Sequence, residues 1–143
     1  MKLLKSFQLN YQMTLNSFEK FALKVISSLV LSIIVIFSLN IYSSGATSAG
    51  GGFQSGSLFA SGIILYEFIN GKRFAFLKRM QFLQFFGIML FITTGLASIF
   101  FGGTIFEYTA FSKMFGHKIG IFFLETAVFL VVFLAIIKIY RSL

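Results

Sequence analysis

Two carboxylates in apolar surroundings carry most of the chemistry this sequence could perform. Glu125 lies inside the apolar run 119–140, and Glu67 lies near the end of the run 52–70. A charged side chain at the centre of a bilayer costs about 2.5–3.5 kcal/mol on insertion scales, and less toward the interface, so it requires a proton, a cation or a hydrogen-bonding partner. Glu125 is therefore a candidate for an ion or proton pathway, with a structural hydrogen bond between helices as the alternative. Glu67 has Lys72 and Arg73 close behind it and is expected to snorkel among interfacial charges, which gives it a weaker claim to the same role. Lys24 and Lys138 read as anchors whose long stems reach water, and His117 beside Lys118 reads as a solvated interfacial histidine.

Other chemistry is nearly absent. The chain has no Cys, one His and four acidic residues, which excludes thiol catalysis, disulfides and Cys-bearing zinc sites and leaves too few ligands for a metal cluster. Neither a cofactor nor enzymatic activity is expected.

The segment from Gly45 to Gly56, GATSAGGGFQSG, is the most specific pattern. A glycine weakens a helix by about 1 kcal/mol against Ala, so Gly50, Gly51 and Gly52 at the start of a run need a backbone reason to be there. Gly52, Gly56 and Ala60 fall four apart, a stripe on which another helix can approach closely. That accounts for the small residues but not for Phe53 and Gln54, which suggest a helix start exposed to a partner subunit.

These residues must be held by helices in lipid. Of 143 residues, 57% are hydrophobic and 11% charged, with mean hydropathy +0.92, well beyond what a soluble domain requires. Four apolar runs, 21–42, 52–70, 82–101 and 119–140, reach or approach the length that crosses a hydrocarbon core of about 30 Å at about 1.5 Å per residue. The expected fold is an all-α integral membrane protein of four helices over 20–143. Ahead of it, Leu4, Phe7, Tyr11, Leu15 and Phe18 recur at helical spacing opposite Lys2, Lys5, Gln8 and Gln12, predicting a short amphipathic interfacial segment over 1–19. Asn16 and Glu19 have the spacing of a capping box. Small residues follow the first run, as in a cleaved signal, but about twenty residues precede it, so it is read as a permanent helix.

The net charge of +8 does not mark a nucleic-acid partner, because the basic residues flank apolar runs instead of clustering on one exposed face. All Lys and Arg except Lys113 and Lys118 fall on one side of the four runs, while the loop 43–54 is uncharged. The positive-inside rule then predicts both termini in the cytoplasm. Tyr42, Tyr66 and Tyr140 stand near run ends, as interfacial tyrosines do.

The heptapeptide Gly50-Gly51-Gly52-Phe53-Gln54-Ser55-Gly56 resembles the Gly-Gly-Gly-Phe-Gln-Gly-Gly signature of the MnhB (MrpB) subunit family of multisubunit sodium/proton antiporters, which has relatives in membrane-bound hydrogenase complexes. Glu125 followed by Thr126 to Leu130 is similar to that family's acidic residue and the small and apolar residues after it in helix four. The likeness spans about 25–132. It implies four helices with the signature where helix two begins, larger antiporter-like subunits as partners, Na⁺ and H⁺ as ions of the whole complex, and a bacterial plasma (inner) membrane location. Three positions depart from the pattern: Ala46 and Ala49 stand where His and Pro are usual, and Ser55 replaces a Gly. The resemblance implies an accessory subunit. A stand-alone small exporter and a holin-type pore or structural protein are the alternatives that composition leaves open.

Overall fold

The structure is a computed structural model that describes residues 6, 9–11, 13–45, 50–72, 74, 80–100 and 117–143, the first three of the last stretch by backbone alone. Helices occupy Ser17–Ser44 (α1), Gly52–Asn70 (α2), Met80–Phe100 (α3) and His117–Ser142 (α4). Lys2, Lys5, Ala46, Ala49, Arg73, Lys78, Arg79 and Lys113 and the side chains of His117 and Lys118 lie outside the described residues.

Helix α1 starts four residues before its apolar run because its start is set by a cap. The Asn16 amide N–H donates to Glu19 Oε2 at 2.8 Å, within a capping box, so the first turn closes before the hydrocarbon-matching residues begin. Upstream, helical residues include Tyr11, whose ring centroid lies 6.4 Å from that of Phe68 near the end of α2. Helix α2 ends at Gly71, whose left-handed backbone (φ 66°) lets its N–H donate to the Glu67 carbonyl at 3.0 Å.

Among the described residues three helices are long and apolar enough to cross a membrane: α1, α3 and residues Gly120–Ser142 of α4. Helix α2 falls short of the expectation of four such helices, and its composition explains why. Ser55, Gly56, Ser57, Ser61 and Gly62 dilute its apolar content. It is, however, packed on both sides, against α1 and against α4, while α3 packs chiefly on α4. The lateral order is thus α1, α2, α4, α3. A helix covered by protein needs less apolar surface than one bathed in lipid, since its polar groups can be satisfied by neighbours.

The buried core is small and lies between α2 and α4, where Ala60, Ile63, Phe133, Leu134 and Ile137 meet Met80 from α3. By contrast α1 and α3 expose large apolar side chains along their length, among them Phe21, Leu29, Ile33, Ile36, Phe82, Phe85 and Phe100. In water such a surface would aggregate; in a bilayer it is the solvent-facing side.

Close approach of α2 to α4 rests on missing side-chain atoms. A Cβ at Gly56 would stand 2.8 Å from the Phe129 carbonyl oxygen, and one at Gly52 would collide with the Glu125 carbonyl and lie 2.9 Å from the Phe129 nitrogen. These neighbours are backbone and cannot swing aside. On the other contact of α4, a Cβ at Gly87 of α3 would meet Val131 at 3.1 Å and Leu130 at 3.2 Å. Gly56→Leu is expected to push α2 off α4 and lower stability by about 1–3 kcal/mol, the usual cost of overpacking. Ser61→Leu, on the exposed side of the same helix, should leave the detergent melting temperature within error of wild type.

Candidate functional site

The two ends of the helix bundle hold different polar arrangements. At one end, where α1 stops, α2 starts and α4 has run about two turns, lie Tyr42, Gly45, Gly51, Glu125 and Thr126. At the other lie Ser27, Glu67, Asn70 and Arg141, together with Lys24, Lys72 and Lys138.

Glu125 is half-buried, and its carboxylate lies against the glycines that join α1 to α2. A Cβ on Gly45 would strike both carboxylate oxygens, and one on Gly51 would sit 3.3 Å from Oε1. Among the described residues the carboxylate takes part in no hydrogen bond or ion pair. The segment around it is fixed by backbone bonds: the Gly51 N–H donates to the Ile41 carbonyl at 3.4 Å, and the Gly45 N–H to the Tyr42 carbonyl at 3.3 Å. Gly51 has φ 111° and ψ −172°, a region that residues with a side chain adopt only at considerable cost. The chain can therefore turn into α2 within contact of the acid only because Gly51 lacks a Cβ.

The signature motif is two-faced. Gly51, Gly52, Ser55 and Gly56 are buried, whereas Phe53, 63% exposed, and Gln54 face outward. Gly50 is partly buried, and a Cβ there would lie 2.9 Å from the Ile41 carbonyl. Ser55 is fully buried. Its hydroxyl donates to the Gly51 carbonyl at 2.7 Å, and its own carbonyl accepts from Ser38 Oγ at 2.8 Å, a buried bond between α1 and α2. The Ser at a position where the resemblance expects Gly is thus absorbed by bonding to the helix's first turn.

Next to the acid, Tyr42 Oη hydrogen-bonds Thr126 Oγ1. Its ring is wedged edge-on between Phe122 and Phe129, with centroids 5.7 and 5.6 Å away, which aims the hydroxyl into the protein instead of at the headgroups. Phe129 and Phe133 stack, and Phe59 of α2 meets both, so an aromatic ladder underlies the acid. Sequence reasoning missed Tyr42 and Thr126 as a pair. They lie 84 positions apart, and no local periodicity links them.

Glu67 does not snorkel toward Lys72 and Arg73. It is 3% exposed and forms an ion pair with Arg141 of α4. The same carboxylate oxygen accepts from the Phe74 backbone N–H at 2.9 Å, and Arg141 Nη2 also reaches the Phe74 carbonyl at 3.4 Å. The pair locks the end of α2, the residues after it and the end of α4 together. Nearby, Asn70 Nδ2 donates to Ser27 Oγ at 3.0 Å and ties α1 to the same end.

A family model described as a domain related to the MnhB subunit of Na⁺/H⁺ antiporter matches residues 22–138. The chain belongs to the MnhB family. No curated protein and no solved structure matches it. The family region takes in all of α2 and α3 and most of α1 and α4, so Glu125, the glycine turn and Glu67 all lie within it, while Arg141 lies just beyond.

Removing one member of a buried ion pair leaves the other charge uncompensated, which costs about 3–5 kcal/mol. Glu67→Ala should therefore lower the melting temperature sharply, whereas Glu67→Leu combined with Arg141→Leu should recover much of the loss. Thermal unfolding of the purified variants checks both.

Proposed function

We propose that this MnhB-family chain is an accessory, non-enzymatic membrane subunit of a multisubunit sodium/proton antiporter, in which Glu125 faces a polar ion or proton interface with a larger antiporter-like subunit. The observation that carries this reading is a carboxylate within a membrane-crossing helix, lodged against glycine backbone and with no hydrogen bond or ion pair among the described residues. An acid in that position is expensive unless something outside the chain, a proton, a cation or a partner's polar group, answers it. Glu67, the other candidate, is already engaged by Arg141, which supports a structural task and leaves the pathway role to Glu125. Na⁺ and H⁺ would be ions of the whole complex. Among the described residues there are no paired broken helices of the kind found in a complete secondary transporter. The family assignment favours this reading over a stand-alone exporter or a holin-type pore.

In the same proposal α2 completes four crossings of a bacterial plasma (inner) membrane. Its 19 residues span about 28 Å at about 1.5 Å per residue, close to the hydrocarbon thickness. The ends carrying Lys24, Lys72, Lys138 and Arg141 then face the cytoplasm, with residues 1–19 as an interfacial segment ahead of the four-helix domain 20–143. Phe53 and Gln54, exposed beside the acid's cradle, would contact the partner subunit.

In a complementation assay, Glu125→Gln should reduce salt or alkali tolerance while the complex assembles normally; wild-type growth with normal assembly would remove Glu125 from the pathway. Gly45→Ala offers a finer probe, since Gly45 has helical backbone angles that Ala accepts (φ −60°, ψ −29°) and the colliding atoms belong to the flexible end of Glu125. It should leave folding intact, displace the carboxylate and reproduce part of the Glu125→Gln phenotype. For topology, a Cys placed at Ser48 should react with an impermeant thiol reagent in outer-permeabilised cells, and one at Ser142 should not.

A further inference from the structure

The seam between α3 and α4 changes character along its length. Toward the ends carrying Lys138 and Arg141, a groove with a cavity volume of about 350 Å³ is lined by Gln84, Ala135, Lys138, Ile139 and Ser142. Further along the same two helices a second groove, about 220 Å³, has only apolar walls, including Ile88, Phe91, Val128 and Val131. Val128, Val131, Ala135, Lys138 and Ser142 recur three or four apart on α4, and Gln84, Ile88 and Phe91 do so on α3. Residues at that spacing share one helix face, so the two grooves follow one another along the same seam, one with a polar end and the other apolar.

From this geometry we propose that the α3–α4 seam is a binding site for one anionic phospholipid, its phosphate held by Lys138 and Gln84 and an acyl chain lying along the apolar groove. Lys138 is exposed and has no ion-pair partner among the described residues, whereas Arg141, the other cation near this end of α4, is taken by Glu67. Ammonium and amide groups are donors suited to phosphate oxygens. The length fits as well. Ala127 to Ser142, the extreme α4 residues of the two grooves, cover about 22 Å at about 1.5 Å per residue, about half of a 40–45 Å bilayer, or one leaflet with its headgroup. The apolar stretch has no polar wall to satisfy a second protein's backbone or side-chain groups, but a hydrocarbon chain needs none. The basic end of the bundle also adds the local positive field that gathers anionic lipid.

The test uses the full chain in nanodiscs of phosphatidylcholine doped with phosphatidylglycerol, with retained lipid counted by native mass spectrometry. Wild type should keep one phosphatidylglycerol in preference to phosphatidylcholine. Lys138→Gln should weaken that preference about fivefold, the factor equivalent to one basic residue near an anionic surface. Ala135→Phe, which fills the groove without changing charge, should weaken it too. Lys24→Gln removes a lysine from α1 and should leave the preference intact; an equal loss there would overturn the site in favour of general attraction to basic ends. Unchanged retention in Lys138→Gln, or displacement of the lipid by millimolar inorganic phosphate, would also overturn it. In native membranes a photoreactive residue at Ile139 should yield adducts of lipid mass, and a protein adduct would mean that another subunit occupies the seam.

Discussion

The arrangement depends on two helices touching backbone to backbone. Where α2 crosses α4, Gly52 and Gly56 leave no atoms between the helix of one and the carbonyl and amide groups of Glu125 and Phe129 in the other. In a membrane, where apolar surface gains nothing by leaving lipid, such contact replaces the hydrophobic effect as the source of association. Everything nearby follows from it. The turn before α2 is drawn over the second turn of α4, and the Glu125 side chain comes to rest among glycines.

The contact also explains how a modestly apolar helix can be the central one. Serines and glycines that weaken α2 as a lipid-facing segment give it close neighbours on two sides, and Ser55 places a carbonyl where Ser38 of α1 can donate to it. The outer helices have the opposite design, with large aromatic and branched side chains turned to the surroundings. Small and polar residues at the contacts of α2 and bulk on the outer faces place the polar groups of α2 where partners exist.

Much of this was legible from the residues. The Asn16–Glu19 spacing announced the cap, the glycines placed the start of α2 at position 52, and the stripe of Gly52, Gly56 and Ala60 marked a close contact face. The identity of the facing helix was not legible, because a stripe of small residues records how near a neighbour comes and not which one it is. Glu67 was misjudged for a related reason. Lys72 and Arg73 are near in sequence, but the carboxylate meets Arg141, and only the run of α4 alongside α2 in the same direction brings that guanidinium within reach. Tyr42 read as a headgroup tyrosine by position, yet its ring is clamped by Phe122 and Phe129 and its hydroxyl turned to Thr126.

The Glu67–Arg141 pair has a consequence for the order of synthesis. Arg141 leaves the ribosome 74 residues after Glu67, an interval of roughly 4–15 s at translation rates of about 5–20 residues per second. Throughout it the acid lacks the guanidinium it meets in the folded chain, so α2 cannot take its final seat. Assembly at this end of the bundle thus waits for α4, and a ribosome stalled before Arg141 would expose an unfinished acidic helix to the quality-control machinery of the membrane.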